Sequence, residues 1–118
     1  MSAIEYPADV IRELNNLREQ AHNAVTELFR LEREQVELEI EADRIEAAAI
    51  LTAEGTQTVK EAYARLQSLE ARREAELAKV KVNYAKNRMR QLSEAINAVQ
   101  TASRMIDISW KTAGYESR

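Results

Sequence analysis

The sequence predicts an all-α protein built as one long antiparallel helical hairpin, a coiled coil that associates with further chains into an oligomeric helical bundle. Three observations carry that expectation. Glycine and proline together number three in 118 residues, so breakers are too scarce for many turns. The composition, 45% hydrophobic and 31% charged with six aromatic side chains, is the bias of long helices rather than of a mixed fold. Apolar residues also recur with alternating steps of three and four, the spacing that keeps one side of a helix against a partner.

Pro7 has the φ of a first helical turn and lacks an N–H that would go unsatisfied there, which places the start of the first helix. Positions 14, 17, 21, 24, 28, 31, 35, 38, 42, 45, 49 and 52 then form a heptad stripe, apolar at all but Gln35 and Thr52. Val25, Phe29, Val36 and Ile40 flank it and are expected to widen that apolar face. Gly55 stands where a helix end wants a left-handed residue. Thr58, with Glu61 three residues on, reads as a capping box. The expected boundaries are therefore helix 7–54, turn 55–57, helix 58–113 ended by Gly114, and tail 114–118, in a single domain.

The second helix carries two apolar stripes. At 100° per residue, Ala62, Leu66, Leu69, Leu77, Val80 and Tyr84 lie within about 80° of one another, while Ala64, Ala71, Ala75, Ala78, Val82, Ala85 and Met89 lie nearly opposite. The second stripe continues through Leu92, Ile96, Val99, Ser103, Ile106 and Trp110. One neighbouring helix cannot cover both sides. Leu66, Leu69, Leu77, Val80, Tyr84, Met89, Leu92, Ile96, Val99, Ile106 and Trp110 are accordingly the candidate residues of an interface between chains.

The net charge of −3 hides an asymmetry. Residues 1–54 hold 5 basic and 13 acidic side chains, and residues 55–118 hold 12 basic and 7 acidic. The acid-rich stretch Glu32–Glu46 should then face Arg72, Arg73, Lys79 and Lys81 across the hairpin. Arg65, Arg72, Lys79 and Lys86 repeat every seven residues, extended by Arg90, in a stripe about 40 Å long. Such a row suits a nucleic-acid backbone or, as the favoured alternative, coiled-coil flanking positions that neutralise the first helix.

Catalysis is not expected. Cysteine is absent, which removes disulfides and thiolate metal sites, and two glycines cannot build phosphate-binding or nucleophile loops. His22 with Glu19 forms a lone Glu-x-x-His element, whereas carboxylate-bridged metal bundles need two with further acids; no metal or other cofactor is expected. No secretory pattern or apolar run of about 20 residues occurs, so the expected location is cytoplasmic and away from membranes.

The stretches AILTAEGTQTVKEAYARL (49–66) and KNRMRQLSEAINAVQTASR (86–104) resemble small helical-hairpin proteins of bacteriophages that infect Gram-positive, especially actinobacterial, hosts. Those proteins join two long helices by an Ala-Glu-Gly-Ser/Thr turn, and most have no assigned role, though their genes often neighbour recombination or replication genes. The resemblance implies a viral protein and an accessory role in phage DNA recombination or replication. Together with the two apolar stripes and the missing catalytic motifs, it makes the expected function that of a non-enzymatic module that binds itself and another protein, in recombination, replication or assembly or against a host factor. The acidic first helix and the Ile108-Ser109-Trp110 segment depart from the pattern, and no functional residue carries over. A nucleic-acid-binding protein using the basic stripe is the alternative.

Overall fold

The computed structural model describes residues 7–116, with the side chains of residues 8–109 and 111. Two helices, α1 (Pro7–Thr52) and α2 (Gln57–Glu116), account for the described chain apart from a short connection. They pack against each other as a hairpin. Neither interior of α1 nor the first 57 residues of α2 holds a glycine or proline after Pro7, so nothing in the backbone chemistry interrupts either helix.

The connection, residues 53–56, lies slightly earlier than the capping-box pattern suggests. At the end of α1, the Ala53 N–H donates to the Ala49 carbonyl at 2.9 Å, and the Thr52 hydroxyl donates to the carbonyl of Ala48 at 3.1 Å. Gly55 then takes φ of +116°, a value that side chains with a Cβ resist. Having turned there, the chain enters α2 at once. The hydroxyl of Thr56, not Thr58, accepts the N–H of Val59 at 3.3 Å, and the Thr56 carbonyl receives the Lys60 N–H at 2.9 Å. Thr58 lies inside the first turn, and Glu61 accepts from the Gln57 amide at 3.2 Å instead of reaching back to a cap. At the other end, Gly114 does not stop α2, which runs to Glu116. A single glycine costs a helix only about 1 kcal/mol, and no proline follows to enforce a stop.

The chain divides into two compact units, a turn-proximal unit of residues 26–86 and a terminal unit of residues 1–25 with 87–118. In the terminal unit, Val10 and Leu17 of α1 are buried with Leu92 and Val99 of α2, and Leu14, Ala24, Ala95, Ile96 and Ile106 pack around them. This is a core of large aliphatic side chains. In the turn-proximal unit the seam is different. Leu31 is buried with Val82 and Ala85, beside Leu28, but nearer the turn the buried residues are Ala42, Ala49, Ala64, Ser68, Ala75 and Ala78. Ser68, fully buried, satisfies its hydroxyl on the Arg65 carbonyl at 3.4 Å.

The turn is tested by substitution. Thr56→Ala should cost about 1 kcal/mol and Thr58→Ala distinctly less, as measured by urea unfolding. Gly55→Val should cost more than either, because φ is positive and a Cβ at this position meets the Val59 side chain at 3.2 Å.

Candidate interaction surface

In the turn-proximal unit the heptad stripe of α1 is the covered side, as its spacing predicts: from Leu28 to Ala49 its members are buried or half-buried. The covered side of α2 is the alanine-lined stripe, because the chain reversal at Gly55 brings α1 of the same chain onto it. Met89, Leu92, Ile96, Val99 and Ile106, which continue that stripe, are likewise buried or half-buried in the terminal unit. Leu92 and Val99 pack directly against Val10 and Leu17 of α1, with Ile96 and Ile106 beside them. The side chain of Trp110 lies outside the described residues.

The other stripe of α2 is left uncovered. Leu66 is 67% exposed, Leu69 60%, Leu77 47%, Val80 63% and Tyr84 76%. Val59 and Tyr63 extend it toward the turn and are exposed as well. On α1, Phe29, Val36 and Ile40 are also more than half exposed, and Val25 in the terminal unit is half exposed. They do not widen the seam. At 100° per residue their direction is roughly 140° from the heptad stripe, so the α2 that covers one cannot reach the other.

This arrangement inverts the usual size order. Along α2 from Ala64 to Ala78 the side facing α1 presents nothing larger than serine, while the side facing solvent presents Leu66, Leu69 and Leu77. Each large aliphatic side chain left in water forgoes about 1.5–3 kcal/mol relative to full burial. Monomeric proteins rarely expose contiguous apolar patches larger than a few hundred Å².

Charge is arranged mainly along each helix rather than between the two. On α1, Arg30 pairs with Glu27 at 2.6 Å and Glu34 at 3.5 Å, Arg33 with Glu37 at 3.3 Å, and Arg44 with Glu41 at 2.5 Å. Hydrogen bonds from Arg30 and Arg44 hold the carboxyls of Glu27 and Glu41 below their ordinary pKa. Among the expected cross-hairpin pairs, Arg72 reaches Glu46 and, at 3.0 Å, Asp43, and these two hydrogen bonds raise its own pKa, Glu46 the more strongly. Arg65, Arg73, Lys79, Lys81 and Lys86 make no ion pair among the described residues. Neighbours three or four positions along one helix are within easy reach of each other, which is why the acids of α1 are taken up locally. Arg90 donates to the Asn87 side chain at 2.8 Å, and Arg88 to Gln20 at 3.2 Å.

The described residues contain no group of three His, Asp or Glu side chains placed to hold a metal ion; His22 is exposed on α1. An open groove of about 410 Å³ in the terminal unit is lined by Val10, Leu14 and Ile106 together with Ser103, Arg104 and Asp107. No described helix is long and apolar enough to cross a membrane. Compared with protein-family models, curated proteins and solved structures, the chain shows no match.

Proposed function

We propose that this chain is a non-enzymatic protein-interaction module that works as a homo-oligomer and binds another protein, with the uncovered apolar face of the turn-proximal unit as its working surface. The observation that carries this reading is the size inversion along α2 from Ala64 to Ala78, alanine and serine inside and leucine outside, with Val80 and Tyr84 continuing the outer side. A helix selected only to close its own hairpin has no use for Leu66, Leu69, Leu77, Val80 and Tyr84 on its far side. The resemblance to phage helical hairpins adds a setting, an accessory of phage DNA recombination, replication or assembly or an inhibitor of a host factor, in the host cytoplasm. Light scattering at low micromolar concentration should return a mass above the 13.5 kDa of one chain. The double variant Leu69→Ser, Leu77→Ser should move the mass toward that of one chain with helix content retained. A parent protein that scatters at 13.5 kDa contradicts the oligomer.

One observation favours a second reading, a nucleic-acid-binding role for α2. Between Lys79 and Arg90 there are five basic residues and no acidic one, and neither Lys79 nor Lys86 makes an ion pair among the described residues. Each phosphate neutralised by such a side chain releases a counterion, giving a log-log salt slope of about −0.7 to −0.9 per contact. Replacing Lys79, Lys86 and Arg90 with Gln should flatten that slope by about two to three units if all three touch phosphate. The protein-interaction reading expects no binding tighter than about micromolar at physiological salt, since the net negative charge of residues 1–54 lies on the helix beside the row. Tight, salt-sensitive binding lost in the triple variant reverses the order of the two readings.

A further inference from the structure

We propose that the uncovered face of α2 in the turn-proximal unit docks on the same face of a second copy of this chain, antiparallel, across a two-fold axis at Arg73. This rests on the protein-interaction reading and names its partner and geometry.

Apart from Val59 and Tyr63 at its turn-side edge, the outer stripe is symmetric about one residue. The members that share one direction from Ala62 to Tyr84 stand at 62, 66, 69, 73, 77, 80 and 84, with steps of 4, 3, 4, 4, 3 and 4 that read the same in both directions. The chemistry mirrors the spacing. Arg73 is the central member, Glu70 and Glu76 lie three residues to either side, Leu69 and Leu77 four, Leu66 and Val80 seven, and Ala62 and Tyr84 eleven. In a two-fold interface residue i meets residue j and j meets i. An antiparallel copy centred on Arg73 therefore sets Leu69 against Leu77, Leu66 against Val80 and Ala62 against Tyr84, each pair occurring twice. The small residue at one end accepts the large one from the other. A parallel copy in register stacks Tyr84 on Tyr84 and Ala62 on Ala62, crowding one end and leaving a gap at the other.

The central charges fit the same arrangement. Two Arg73 guanidinium groups meet at the axis, and Glu70 and Glu76 of each copy lie about one helical turn away, so four carboxylates surround two cations. Arg73 makes no ion pair within its own chain among the described residues, which leaves its donors available for those carboxylates. The spacing also repeats after eleven residues, close to the 3.6-residue turn of a straight helix, so the stripe holds one side of α2 without drifting around it. The area is adequate. Large aliphatic side chains of this kind each bury roughly 60–120 Å², and the outer stripe then supplies most of the apolar share of a standard contact of about 800 Å² per partner.

The chain contains no cysteine, so single cysteines introduced into the full-length protein report the geometry directly. A disulfide forms only where two Cα atoms come within about 7 Å. Under mild oxidation Arg73→Cys should link to itself as a dimer. Leu66→Cys alone should link poorly, whereas Leu66→Cys mixed with Val80→Cys should link to each other. As a check independent of cysteine, Glu70→Arg combined with Glu76→Arg should weaken association by more than about tenfold with helicity unchanged, because only cations then meet at the axis. An oligomer in which Arg73→Cys stays unlinked, in which Leu66→Cys links to itself as readily, or which is indifferent to the charge reversal, overturns the two-fold and leaves the protein-interaction reading standing. A monomer overturns the self-association in both.

Discussion

A helix in a two-helix hairpin is covered along one side only, because its partner is a single cylinder. Everything distinctive about this chain follows from asking that constraint to accommodate helices with two apolar sides. α1 spends its heptad stripe on the seam and leaves Phe29, Val36 and Ile40 outside. α2 spends its alanine-lined stripe and leaves Leu66, Leu69, Leu77, Val80 and Tyr84 outside. The terminal unit solves the problem conventionally, with Val10, Leu17, Leu92 and Val99 turned inward. The turn-proximal unit does so only around Leu31 and Val82: from Ala64 to Ala78 the larger apolar side chains of α2 face outward, and burial of that surface is what a further chain would supply.

The seam of small residues also bears on how that unit behaves. Alanine and serine bring helices together without contributing much apolar area, so Ala42, Ala49, Ala64, Ser68, Ala75 and Ala78 define an approach more than they stabilise it. The reversal at Gly55 and the cap from Thr56 hold the ends of the two helices in register next to this small-residue stretch. The ion pair from Arg72 to Asp43 and Glu46 adds a cross-hairpin tie, though at an exposed site such a tie contributes little.

Much of the fold was legible in residue order. The three-four rhythm from Leu14 to Ala49 locates the seam of α1, the left-handed turn falls on the one glycine available to make it, and the two stripes of α2 can be separated by counting. The rest depended on information that periodicity does not hold. Periodicity distinguishes two apolar sides of α2 but not which faces α1, and here size misleads, since the smaller residues are the buried ones. Thr56 was hidden because Val59, not an acid, stands three residues beyond it, while Thr58 and Glu61 offered the more familiar pattern. The charge imbalance between the halves suggested pairing across the hairpin, yet Glu27, Glu34, Glu37 and Glu41 found arginines on their own helix first.

If the turn-proximal half of α2 draws stability from a second surface, as proposed, hydrogen exchange at two protein concentrations reads that dependence. Local opening governs exchange, and a surface buried by association is stabilised by mass action. The account predicts that amides of residues 57–80 are protected at concentrations where the protein is assembled and lose much of that protection on dilution, while those around Leu92 and Val99 change little. Protection across residues 57–80 that stays the same at every concentration would contradict it.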